Sequence, residues 1–133
     1  MSTVSLTLDE IFDLAKKTLL ANGCDDETAS ILSDLIRNAE RDGSVSHGLF
    51  RLPAYVSGLK SGKINGKGKP EVKKISPSVI KVQGNNSLAP VVLSKSLPEL
   101  SKAAKENGVA VLAINNSHHM AAMWPETEKL AED

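Results

Sequence analysis

Cysteine is almost missing from this chain of 133 residues: Cys24 is its single thiol, so no internal disulfide can form. Aromatic residues are nearly as scarce. Phe12, Phe50, Tyr55 and Trp124 make up 3% of the sequence, too few for a base-stacking platform, and sixteen basic residues are matched by sixteen acidic ones. Without a basic footprint, nucleic acid is excluded as an expected partner. No apolar run approaches the roughly eighteen residues needed to cross a bilayer, which excludes a membrane partner on the same terms. The first ten residues show no basic-then-apolar leader, and with the lone cysteine this predicts a reducing, cytoplasmic setting. What remains, 41% apolar and 24% charged, is ordinary for one soluble domain, or one and a fragment.

Along the chain, helical signals come first. Thr7-Leu8-Asp9-Glu10 reads as a capping box opening a helix through Ile11, Ala15 and Leu19, which Asn22-Gly23 should end. Asp25 or Asp26 then caps a second helix whose stripe is Ile31, Leu32, Leu35, Ile36 and Ala39. A third helical period runs from Leu52 to Leu59. From Pro70 the pattern turns to short β-branched runs, predicting strands over 71–75 and 79–82. Leu88 to Ser96 predicts a helix, and Ser96-Leu97-Pro98-Glu99 reads as a second capping box that restarts one as far as Asn107-Gly108. The uninterrupted apolar run Val109 to Ile114 predicts a strand covered on both faces, and a last amphipathic helix begins at Pro125. The fold class is therefore α/β: a helical region over 1–68, then the start of a mixed-sheet domain over 69–133. So little sheet leaves edges and one face open, so the expectation is that the domain is incomplete and the chain truncated.

The densest chemistry lies between Arg41 and Tyr55. Ser46, His47 and Arg51 set a hydroxyl beside an imidazole and a fixed cation, the parts of an acid catalyst for a small anionic substrate. On a continuous helix His47 and Arg51 would share a face, but Pro53 leaves two arrangements open. Either a short turn carries the pair and the helix begins near Leu52, or the helix is kinked. Arg41 and Asp42 read as a surface ion pair, and Tyr55 as a half-buried aromatic. All three histidines of the chain fall in this stretch or in Asn115-Asn116-Ser117-His118-His119-Met120-Ala121-Ala122-Met123-Trp124-Pro125. A metal site is not expected from them, because adjacent His118 and His119 on extended backbone point to opposite sides. Gly66-Lys67-Gly68-Lys69 completes no phosphate-loop fingerprint and reads as a solvated turn.

The order Asp42, Gly43, Ser46-His47-Gly48, Arg51, Tyr55 resembles the non-classical malate/L-lactate dehydrogenase family. The stretch from Asn115 to Pro125 is similar to the form found in its cyclic-imine reductase branch, with Met120 where that branch usually has Phe. The resemblance implies a non-Rossmann oxidoreductase fold, of which this chain is the N-terminal part since family members are well over twice as long. It implies His47 as proton donor, Ser46 as its relay partner and Arg51 as anchor for a small-molecule carboxylate substrate. His118, His119, Met120, Ala121 and Ala122 would then touch the cofactor, NADP or alternatively NAD. In related hydroxy-acid dehydrogenases the position matching His119 takes the proton-accepting role, and the two assignments compete. The expected activity is reduction of a cyclic imino acid bearing a carboxylate by NADPH, in a full-length protein that is a homodimer. The alternatives are NAD-dependent interconversion of a 2-hydroxy acid and its 2-oxo acid and, from another class, a noncatalytic helical assembly fragment.

Overall fold

In a computed structural model, which describes residues 4–118 and 121–132, the chain divides after Gly66 into two compact units. The first opens with helices α1, Leu8–Ala21, and α2, Asp26–Arg41. Each begins where a side chain takes up an amide that the helix cannot. Thr7 Oγ1 accepts the Glu10 N–H at 3.2 Å while Glu10 reaches back to the Thr7 N–H at 2.7 Å, the expected capping box. Asp25 caps α2, its Oδ1 accepting the Thr28 N–H at 2.9 Å. The two helices pack through Ile11, Ala15 and Leu19 against Leu32, Leu35, Ile36 and Ala39. Leu19, Leu32 and Ile36 are wholly buried, each worth roughly 1.5–3 kcal/mol of transfer free energy. Helix α3, Leu52–Lys60, follows two short turns and packs on α1.

The second unit holds strands β1, Glu71–Ser76, and β2, Val79–Gln83, then helix α4, Ala89–Asn107, strand β3, Val111–Asn115, and helix α5, Trp124–Glu132. Among the described residues the sheet has the order β1-β2-β3. β1 and β2 form a hairpin with a register shift between Lys74 and Ser76, whereas β2 and β3 run parallel. The sheet is mixed, as expected, and α4 is the crossover that parallel pairing requires. One face of the sheet meets α4, where Ile80, Val82, Val92 and Ala103 form a core flanked by Leu100, Leu112 and Ile114.

Two expectations need correction. Ser96 does not restart a helix: α4 is continuous, with Pro98 inside it, and Ser96 Oγ donates to the Val92 carbonyl at 2.8 Å. Pro98 points outward while Val92, Leu93, Ser96, Leu97 and Ser101 keep one unbroken buried face, and that burial outweighs the missing N–H. Nor is β3 covered on both faces. Val111, Ala113 and Asn115 are exposed and Leu112 and Ile114 half-buried, because α4 covers only one side.

Candidate active site

The segment that carries the acid-catalyst residues is built outward from the end of α2. Gly43, at φ +72°, donates its N–H to the Glu40 carbonyl at 3.1 Å, and Ser44 donates to the Ala39 carbonyl at 2.8 Å. This paired closure with a left-handed glycine ends the helix sharply and turns the chain back. Two single 3-10 turns follow, Val45–His47 and Leu49–Arg51, separated by Gly48. α3 then starts at Leu52 with Pro53 in its first turn, where a missing N–H costs little. Of the two arrangements left open by Pro53, the short turn is the one found. No continuous helix joins His47 to Arg51, so helical i, i+4 spacing does not relate them.

On that turn Ser46 Oγ lies 3.0 Å from His47 Nδ1, and Ser44 Oγ lies 3.3 Å from the same nitrogen. Ser44 was not legible as a partner. Three residues per 3-10 turn bring positions 44 and 47 into line, a relation that exists only once the turn type is known. A hydroxyl donating to Nδ1 holds the neutral ring in the tautomer that keeps its proton on Nε2, and a protonated ring reverses that bond, with Nδ1 donating. Glu40 was missed as well: its Oε1 accepts the Leu49 N–H at 2.7 Å, nine residues away in sequence.

Arg51 is half-buried, and its Nε is buried with no hydrogen-bond partner. A guanidinium N–H in that state is an unmet donor for an anion. Tyr55, only 3% exposed, is buried more deeply than expected. Burial raises its phenol above the ordinary range, and the Arg51 charge partly offsets that rise. Arg41 and Asp42 form the expected surface ion pair, at 2.7 Å.

In the second unit, the loops that leave β2 and β3 are zipped together at the carboxyl ends of the two parallel strands. Gly84 donates to the Asn115 carbonyl and Asn86 to the Asn116 carbonyl, both at 2.8 Å. Asn85, Asn86 and Asn116 all have positive φ, which asparagine tolerates better than most residues. Gly84 has no substitute here, since a Cβ would stand 2.7 Å from the Asn116 carbonyl oxygen. The zipper continues to His118, whose N–H donates to the Ser87 carbonyl at 2.8 Å and whose carbonyl accepts the Ala89 N–H at 2.9 Å. Open α/β sheets take their ligands at such strand ends. Ala121 and Ala122 are buried and precede α5, which starts at Trp124, so they do not form its first turn. His119 and Met120 lie outside the described residues.

Comparison with known proteins gives this geometry its context. The family model for malate/L-lactate dehydrogenase matches residues 6–133. The chain is 38% identical over 130 residues to a Delta(1)-pyrroline-2-carboxylate/Delta(1)-piperideine-2-carboxylate reductase of Pseudomonas syringae pv. tomato, covering 98% of this chain and 38% of that protein. The crystal structure of the delta1-piperideine-2-carboxylate reductase from the same organism superposes with a TM-score of 0.92 at 38% identity, over 98% of this chain and 39% of that one. Malate dehydrogenase from Pyrococcus horikoshii OT3 gives a TM-score of 0.88 at 30% identity, over 97% and 37%. The chain thus spans about two fifths of the length of these relatives. With a family model matched over nearly all its residues, and that family's fold in both units, the chain belongs to the malate/L-lactate dehydrogenase family of oxidoreductases.

Proposed function

We propose that this chain carries the proton-donating and carboxylate-binding part of an enzyme that reduces a cyclic imino acid with NADPH. The observation that carries the reading is His47 Nδ1 held at 3.0 Å by Ser46, four residues before an arginine with a buried and unpartnered N–H. Hydride addition to the carbon of a C=N bond leaves a lone pair on nitrogen that must take a proton. His47 supplies it, and Ser46 steadies the ring while its charge changes, a contribution of roughly 100- to 10,000-fold. Arg51 binds the substrate carboxylate and so orients the reacting carbon. Reductases of pyrroline- and piperideine-2-carboxylate among the relatives support a substrate of this class.

The cofactor fits the second unit in part. Asn116, Ser117 and His118, just past the carboxyl end of β3, offer polar groups suited to a ribose or amide, and the family resemblance adds His119, Met120, Ala121 and Ala122 to this cofactor-binding stretch. Residues 115–122 include no Lys or Arg to meet a 2′-phosphate, so NADP over NAD rests on likeness to the reductases. Bound there, a reduced nicotinamide would supply the hydride. A second reading, NAD-dependent oxidation of a 2-hydroxy acid, is favoured by the likeness to the Pyrococcus malate dehydrogenase, and His47 and Arg51 serve it equally well.

The test is a chimera in which this chain replaces the matching segment of the Pseudomonas syringae reductase. NADPH oxidation should be faster with a cyclic imino acid than with a 2-oxo acid, and the reverse order would promote the second reading. His47→Ala should lower turnover by roughly 100-fold or more while NADPH still quenches protein fluorescence. Unchanged turnover would remove His47 from the chemistry.

A further inference from the structure

The turn that carries His47 is fixed to the molecule at its two ends. Ser44 and Ser46 hold the imidazole, but both ride on the same turn, so they set the ring relative to the turn and not the turn relative to the fold. At the near end the Ser44 N–H bonds the Ala39 carbonyl of α2. At the far end the Leu49 N–H bonds the Glu40 carboxylate at 2.7 Å. Both anchors therefore come from adjacent residues in the last turn of α2. The carboxylate passes through the space that a side chain at position 48 would fill: a Cβ there would overlap it and stand 2.8 Å from Glu40 Cγ. Unlike Gly43, Gly48 has a negative φ, −86°, so no left-handed backbone calls for a glycine. The approach of the carboxylate does.

We infer that Glu40 is a positioning residue for His47, clamping the backbone just beyond the imidazole to helix α2 through the gap left by Gly48. The inference rests on reading His47 as the acid. An ionised carboxylate makes a stronger and shorter bond to an amide than a neutral acceptor does, and here it fixes the point from which both the His47 turn and the Arg51 turn depart.

Nuclear magnetic resonance on the whole 133-residue chain tests this, with Leu49 amide exchange and the His47 ring nitrogen shifts as readouts. In Glu40→Ala, Leu49 exchange should quicken by on the order of tenfold or more, and the His47 shifts should move toward a free tautomer mixture. The amides of Leu32 and Ile36 in the helical core should exchange as before. Glu40→Gln, which keeps an acceptor oxygen, should restore most of the native signals. Gly48→Ala evicts the flexible end of Glu40, so it should reproduce Glu40→Ala, and the double variant should be no worse than either single one. Additive effects, or native His47 shifts in Glu40→Ala, would overturn the inference. So would a fall in Leu32 protection matching that of Leu49, which would mark general destabilisation. In the chimera, Glu40→Ala should lower kcat, leave the KM for NADPH unchanged and be rescued by Glu40→Gln; an unchanged kcat beside moved His47 shifts would overturn the acid role of His47 and with it the catalytic meaning of the clamp. The exchange and ring-shift signals need no turnover from the chain itself, so a failed clamp and a failed acid role for His47 are separately visible.

Discussion

At the scale of single residues, the sequence exposes chemistry better than geometry. Ser46 beside His47 is legible from adjacency alone, whereas Ser44 and Glu40 reach the same turn through a 3-10 period and a side chain that crosses nine residues. Neither relation leaves a trace in composition or spacing. Cys24 shows the same limit, since a lone thiol says nothing of its surroundings. It is 5% exposed, and burial, with the Asp25 charge adding to it, pushes its pKa from the ordinary 9.0 up to about 11. The folded chain therefore keeps a proton that the unfolded chain has already lost above pH 9, so folding stability falls as pH rises from 9 to 11. Linkage sets the loss at about 2–3 kcal/mol. Urea denaturation at pH 8 and pH 10.5 should show about two thirds of that fall in the native chain and a smaller one in Cys24→Ala. An equal fall in both would assign it to other groups, of which Tyr55, raised by its own burial, is the first to examine.

At the scale of elements, caps were read well and interruptions were not. Thr7, Gly23, Asp25 and Gly108 mark helix ends by local chemistry, and local chemistry is what a sequence contains. Pro98 looked like a boundary for the same reason. Burial of Val92, Leu93, Leu97 and Ala103 on one side of α4 keeps the helix whole, and burial is a tertiary fact. The Ser94 carbonyl loses a donor as a result. Pro98→Ala restores that N–H on an exposed face without touching the core, so it should raise stability. The gain should be on the order of 1–3 kcal/mol, less the roughly 0.4–1 kcal/mol by which a proline restrains the unfolded chain. A melting temperature at or below the native one would show that α4 has adapted fully to its proline. Strand β3 was misjudged for a related reason: an apolar run fixes which residues tolerate burial, not how many faces are covered.

At the scale of the whole molecule, charge and exposed apolar surface act together. The net charge is zero at pH 7 and the isoelectric point is about 6.8, so self-repulsion is weakest near neutrality. Val72, Ile75, Val109 and Val111 of the sheet unit stay exposed, and β3 lies at an edge of the sheet among the described residues. Exposed edges and apolar faces of this kind favour association unless charge opposes it. Light scattering should therefore peak near pH 7 and fall by pH 9, and Val111→Lys should lower the peak by adding charge to the open edge. Scattering that is flat with pH, or unchanged in Val111→Lys, would show that this surface does not attract its own kind.

Position 118 is tied into the fold through an amide and a carbonyl, groups that every residue except proline possesses. Those two bonds make no demand on the identity of the side chain there. A substitution at position 118, proline apart, leaves both of those bonds in place, whereas changes at Gly48 or Gly84 meet a neighbouring atom at once. Side chains change at least cost where the main chain does the holding.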